Sequence, residues 1–217
     1  MDSQYLFIVA VIIVMGWFAF GVVYNLRRGD AVLKWMQAGL PRIGERTTFR
    51  WLGTSVAELV IAKARPPFRR LDTLLVLKPR DVFWMTIMAS FQGRNDIVIF
   101  RADLGSAPLL DLELADPKTW SGRAALRQVA ERGWESRPYR DMQLMAPRGL
   151  LDLAASALDL LNEPMQKLSS RYARLSLRKQ TPNLEIHLPF PEYSSVESVV
   201  YFEALRGLAR AISERSG

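Results

Sequence analysis

The sequence predicts an α+β protein: a single N-terminal transmembrane helix followed by a two-layer domain of antiparallel strand pairs and helices. Three observations carry that prediction. Residues 3–26 contain no Asp, Glu, Lys, Arg or His. Farther on, short runs of alternating apolar and polar residues come in pairs separated by turn residues, and segments with apolar residues at helical spacing follow them. A chain of 217 residues accommodates one ordinary domain plus a small additional element.

The first element is YLFIVAVIIVMGWFAFGVVY, residues 5–24. At 1.5 Å per residue it reaches about 30 Å, the thickness of a hydrocarbon core. Tyr5 and Tyr24 stand at its ends, where amphipathic rings favour headgroups, and Arg27 and Arg28 follow at once. A cleavable signal peptide would need a basic start, a shorter apolar stretch and a small-x-small cleavage site. Only Asp2 precedes this run, so a retained anchor over residues 1–28 is expected. No Lys or Arg lies before the span, whereas Arg27, Arg28, Lys34 and Arg42 lie after it. The positive-inside rule then predicts a single-pass cell-membrane protein with its N-terminus outside and its C-terminal domain cytoplasmic. Gly16 and Gly21 are not four residues apart, so the span carries no strong small-residue dimer motif.

The net charge of +7 is unevenly distributed. Residues 25–80 hold 12 Lys and Arg against 4 Asp and Glu, while residues 81–217 hold 17 of each. The basic excess therefore follows the span. Anionic lipid of the cytoplasmic leaflet is the partner it predicts, at about 1 kcal/mol per basic residue close to the surface; topology determinants and ordinary surface charge explain it equally simply. Residues 29–41, GDAVLKWMQAGLP, read as a juxtamembrane amphipathic helix. Asp30 caps its start, Val32, Leu33, Met36 and Leu40 share a face, and Gly39 with Pro41 stops it. That face suits either the headgroup layer or the following domain.

Residues 42–217 read as one cytoplasmic α+β domain. Runs 55–64 and 70–78, joined by RPPFR, form a hairpin whose prolines stay out of the ladder. Helix 81–92 follows. Runs 95–104 and 109–116, joined by GSAP, form a second pair, with Leu110, Leu112 and Leu114 on a buried face and Asp111 and Glu113 on a wet one. Helices are expected over 121–132 and 150–161, Pro164 preventing continuation of the latter. Runs 172–180 and 184–190 flank the turn residues Thr181, Pro182 and Asn183. A final helix over 195–214 opens with a capping box of Ser194 and Glu197. The layout is three strand-strand-helix units, 55–92, 95–132 and 172–214, without recurrence of residue identities.

Chemistry-bearing motifs are sparse. There is no cysteine and a single histidine, His187, on the same strand face as Glu185. That pair is two metal ligands at most, and solvent-facing strand residues are the simpler expectation. Asp111 with Glu113, and Asp152 with Asp159, sit where amphipathic elements need polar faces. Neither a Walker A loop nor GxGxxG occurs, so no cofactor or metal is expected. The basic aromatic stretches FRWLG and RPPFRR are tethered beside lipid, which makes nucleic acid a poor candidate partner.

One segment stands out. From Val82 to Gln92 there is no charge, and the run is too short to span. Its position calls for a buried covering helix, yet it lacks a polar face beyond Thr86, Ser90 and Gln92. Phe83, Trp84, Met88 and Phe91 are thus candidate contacts for membrane or partner. The expected function is a membrane-anchored interaction or assembly module with an unidentified protein partner. The alternative is a membrane-tethered enzyme acting on a lipid-linked or anionic substrate, to be recognised by arginines and a carboxylate converging in a pocket.

Overall fold

A computed structural model describes residues 3–161, 172–190 and 195–214, with side chains in the last stretch from Ser198 onward. The chain is α+β, with five helices and a nine-stranded antiparallel sheet among the described residues. Its elements are α1 (Ser3–Gly39), a 3-10 turn (Leu40–Arg42), β1 (Gly44–Trp51), β2 (Val56–Ala64), β3 (Phe68–Val76), α2 (Phe83–Phe91), β4 (Ile97–Leu104), β5 (Leu112–Ala115), α3 (Trp120–Ala130), β6 (Glu135–Tyr139), β7 (Met142–Ala146), α4 (Leu151–Leu160), β8 (Arg174–Leu177), β9 (Leu184–Pro189) and α5 (Ser195–Glu214). The capping box of Ser194 and Glu197 and the stop at Pro164 lie outside the described residues or side chains.

The candidate span and the segment after it are one helix. α1 runs unbroken for 37 residues, about 55 Å at 1.5 Å per residue. Asp30 therefore starts no helix of its own. Residues 3–20 are exposed, and from Gly21 onward one stripe of the helix turns inward: Gly21, Asn25, Gly29, Val32, Trp35, Met36 and Gly39. The apolar face of residues 29–41 is thus packed against the domain. Gly39 shows how tightly, because a Cβ there would sit 2.2 Å from the Phe202 ring and 2.7 Å from the Ser198 carbonyl oxygen of α5.

The sheet order is β1-β2-β3-β4-β9-β8-β5-β7-β6, and all neighbours are antiparallel. The hairpins β2-β3 and β8-β9 form as the alternation predicted. The second expected pair does not. β4 pairs with β3 and β9, while β5 pairs with β8 and β7, so the whole β8-β9 hairpin separates the two. Two further strand elements, β1 and the β6-β7 hairpin, were not legible in the sequence.

Strand alternation sorts the side chains. Leu59, Leu71, Val98, Phe100, Ile186, Leu175, Leu112 and Leu144 point to an inner face covered by the C-terminal half of α1, by α5 and by α4. At its centre Trp35, Tyr201 and Phe202 surround Phe100, whose ring lies 5.5 Å from Tyr201 and 5.7 Å from Phe202. Helix α3 packs on β5, β7 and β8. Its buried Ala125 and Val129, with Ala115 and Met145, stand apart from that main core, placing α3 on the opposite face. The expected two layers thus gain a partial third.

Candidate membrane-facing site

The strand ends at β3, β4 and the β1-β2 turn meet α1 where its exposed stretch ends. Gly21 permits the meeting, since a Cβ on it would lie 2.2 Å from the Arg80 carbonyl oxygen. One turn later Asn25 is fully buried. Its amide donates to the carbonyls of Thr54 at 3.1 Å and Lys78 at 3.0 Å, and its Oδ1 accepts from Arg80 Nη1 at 3.0 Å. Asp96, buried at the start of β4, completes the joint. It accepts from the Lys78 backbone N–H at 2.8 Å, from Arg80 Nη1 and Nη2 at 3.0 and 2.9 Å, and from Arg28 Nη2 at 3.4 Å. The Arg80 guanidinium also lies over the Tyr24 ring, 4.9 Å from its centroid. Helix α1 and the sheet are therefore fixed to each other by charge-assisted bonds to a buried carboxylate, the strong class of hydrogen bond.

Helix α2 projects from this joint. The sequence placed it as the buried cover of the first strand pair, but the structure contradicts that placement: of its nine residues only Ala89 is buried. Phe83, Trp84, Met85, Ile87, Met88 and Phe91 are all exposed, Phe91 at 89%. The physical reason is its connection. β3 and β4 are adjacent antiparallel strands, so the segment joining them stays at the sheet's end and cannot reach over a face already occupied by α1 and α5. Together these six side chains leave the equivalent of three to four whole apolar side chains uncovered, on the order of 7 kcal/mol at ~2 kcal/mol each in water.

The helix is nonetheless held at both ends. Thr86 Oγ1 donates to the Pro79 carbonyl at 2.8 Å, and Arg123 of α3 donates to the Gln92 carbonyl at 2.9 Å. Arg94 stacks over Trp120 at 4.3 Å. α2 meets α1 at Trp17: Phe83 packs on its ring edge to face at 5.0 Å, and Trp17, Phe83, Thr86, Ile87, Ser90 and Phe91 line an apolar groove of about 380 Å³.

The four basic residues after the span do not act as a set. Arg27 and Lys34 are exposed, Arg28 pairs with Asp96 at 3.4 Å, and Arg42, about 27 Å along the helix from Tyr24, pairs with Glu203 at 3.4 Å. Arg80 and Arg94, which bracket the uncharged run in the sequence, and Arg123, which the sequence did not single out, lie at the ends of α2 instead.

The remaining candidate residues have structural partners. Glu113 and His187, expected on wet strand faces, are both buried; α3 closes over β5 and β8, where Glu113 lies. Glu113 is bound by Arg174 and Arg178. Glu185 accepts from Arg101 at 2.7 Å, lies 2.9 Å from Arg174, and shares a 2.8 Å bond with His187 Nε2. Burial pushes the Glu185 carboxyl up, but the His187 hydrogen bond and the charges of Arg174, His187 and Arg101 outweigh it and hold it at about 2. Arginines and carboxylates do converge here, yet they neutralise one another, and Glu185 stays ionised at neutral pH and cannot serve as a general acid. Asp111 accepts from the Lys179 backbone N–H at 2.6 Å. Asp152 and Asp159 are tied separately, to Arg137 at 2.7 Å and Tyr139 at 2.6 Å. Among the described residues no three His, Cys, Asp or Glu side chains are grouped to hold a metal ion.

No protein-family model matches this chain, and no curated protein matches it either.

Proposed function

We propose that this protein is a single-pass, membrane-anchored interaction or assembly module, with its N-terminus outside and its α+β domain held at the cytoplasmic face of the cell membrane. One observation carries the reading: a helix long and apolar enough to cross a membrane continues without a break into the core of the domain. A signal sequence meets the same length and composition test. Retention is favoured because the apolar run ends inside the packed stripe, with Gly21 and Asn25 already engaged by Arg80, Thr54 and Lys78. Arg27 and Arg28, directly after the span, support the cytoplasmic assignment. The rigid joint sets a fixed height and orientation for the sheet above the headgroups, a useful property for a surface that must meet another membrane-bound partner. Exposed Arg27 and Arg123 would favour anionic lipid there.

Because the natural chain has no cysteine, single introduced cysteines report topology without background. In intact cells, Gln128→Cys on the exposed side of α3 should resist a membrane-impermeant maleimide and react only after permeabilisation. Labelling of Gln128→Cys in intact cells would overturn the orientation, and recovery of the chain in soluble form lacking its first 20 or so residues would overturn the anchor.

A further inference from the structure

We propose that α2 is a second membrane-embedded element, a short helix immersed in the acyl chains of the same leaflet that α1 enters on its way to the domain. This rests on the anchored reading and gives it a second attachment point.

Depth follows from α1. If Tyr24 marks the headgroup boundary, Trp17 lies about 10 Å beneath it at 1.5 Å per residue. Phe83 is in ring contact with Trp17. The start of α2 therefore lies below the boundary, among hydrocarbon. Its nine residues would extend only about 14 Å, too little to cross, so the chain must leave by the side it entered.

The distribution of apolar surface chooses lipid over protein. A helix that docks on a partner needs one apolar face, whereas one that is apolar all round is buried in a core or in a membrane. Phe83, Trp84, Met85, Ile87, Met88 and Phe91 are exposed over about 200° of the circumference of α2 at 100° per residue, twice the width of an ordinary apolar stripe, and Thr86, Ala89 and Ser90 fill the remainder. No ionisable residue occurs from Val82 to Gln92. Its exposed surface is continuous through Trp17 with that of the span, so any medium wetting one wets the other. The charges begin where α2 ends: Arg80 and Asp81 before it, Arg94 after it, and Arg123 on its last turn. Cations at that level suit lipid phosphates, as in other helices that lie in the interface. The wide apolar arc of α2 and the basic residues at its two ends thus match the two chemistries of one leaflet, hydrocarbon and phosphate.

Two attachment points do what one cannot. A lone span leaves span and sheet free to tilt together in the bilayer; α2, beside the span, adds a second contact that resists that tilt.

The test uses the full chain in vesicles of phosphatidylcholine with phosphatidylglycerol, carrying one environment-sensitive fluorophore at Met88→Cys, Trp84→Cys, Val14→Cys in the span, or Gln128→Cys on α3. We expect the labels at Met88→Cys and Trp84→Cys to be blue-shifted and to lose intensity with brominated acyl chains as the Val14→Cys label does, while the Gln128→Cys label does neither. An aqueous, unquenched label at both α2 positions with Val14→Cys still quenched would overturn the insertion of α2 and leave the anchor standing. Disulfide capture of Met88→Cys by another protein chain in native membranes, with that aqueous result in vesicles, would assign α2 to a protein partner and overturn the proposal equally. An unquenched Val14→Cys label would overturn the anchor and this inference together.

Discussion

Replacing Asp96 with alanine should loosen the span from the domain. The carboxylate is almost fully buried and takes four donors: the Lys78 backbone N–H, two nitrogens of Arg80 and one of Arg28. Its loss leaves two guanidinium groups without a counter-charge, and breaking a buried pair in this way costs about 3–5 kcal/mol. Arg80 and Arg28 keep some contact with water, their side chains being 20% and 35% exposed, which favours the lower end, ~3 kcal/mol. For a domain of this size that is a fall in Tm of about 6–12 °C. Asp96→Asn keeps the shape and one acceptor oxygen and should fall between wild type and alanine. Asp72→Ala is the matched control, because its partner Arg70 is 57% exposed and such surface pairs contribute about 0–1 kcal/mol. Thermal unfolding in detergent gives the stability, and hydrogen exchange over residues 21–36 reports whether α1 has come loose from the sheet. A Tm within about 2 °C of wild type for Asp96→Ala, or a loss no larger than that of Asp72→Ala, would refute the assignment of Asp96 as the joint's keystone.

Three other outcomes are expected. Glu185 has its carboxyl lowered from 4.5 to about 2 in the folded state, so its contribution is complete above pH 4.5 and is lost as pH falls toward 2, on the order of 3 kcal/mol in all; urea unfolding across that window should show the loss, and Glu185→Gln should flatten the slope there. Phe202→Ala removes a fully buried ring shared by α1, α5 and β4 and should cost about 3–5 kcal/mol by the same assay, whereas Phe202→Leu should cost much less. Gly21→Val drives a side chain into the Arg80 carbonyl oxygen and should raise exchange across residues 77–82 while leaving the β5-β7 half of the sheet protected.

What the sequence revealed followed the range over which each signal acts. The β2-β3 and β8-β9 hairpins are local, each announced by alternation broken at prolines or at Thr181, Pro182 and Asn183, and both formed. The β4-β5 pairing failed because proximity in the chain was taken for proximity in the sheet, while the unbroken apolar faces of β8 and β9 fitted between them. β1 and β6 are edge strands, polar on their open sides, and Pro138 is tolerated in β6 because no further strand needs its missing N–H. Glu113 and His187 read as wet because alternation reports two faces without saying what covers the second one; α3 covers it over Glu113, and Arg174 of β8 and Arg178 just after it supply the counter-charge. The joint did leave a trace. Gly21, Asn25 and Gly29 recur every four residues, a small and polar stripe down one face of an otherwise apolar helix, which is the mark of a close helix contact.

That stripe also separates the two surfaces of α1 and α2. An amide buried at Asn25 would be costly in lipid, yet here each of its hydrogen-bonding atoms is used by the domain, so the polar side of α1 is matched by protein at the level where the apolar sides of α1 and α2 remain bare. If α2 were simply an exposed loop in water, Trp17 and Phe83 would have no reason to lie below this joint on its bare side. On the anchored reading the order is forced: hydrocarbon must meet Trp17, Phe83 and Phe91, phosphates must meet the exposed arginines, and the Asn25–Arg80–Asp96 joint must lie at the boundary, with Asn25 and Asp96 covered by protein. Moving the polar stripe by one residue would turn it roughly 100° around the helix, exposing Asn25 to acyl chains and pulling α2 away from the span. The spacing of four residues is therefore what keeps both apolar helices on the same side.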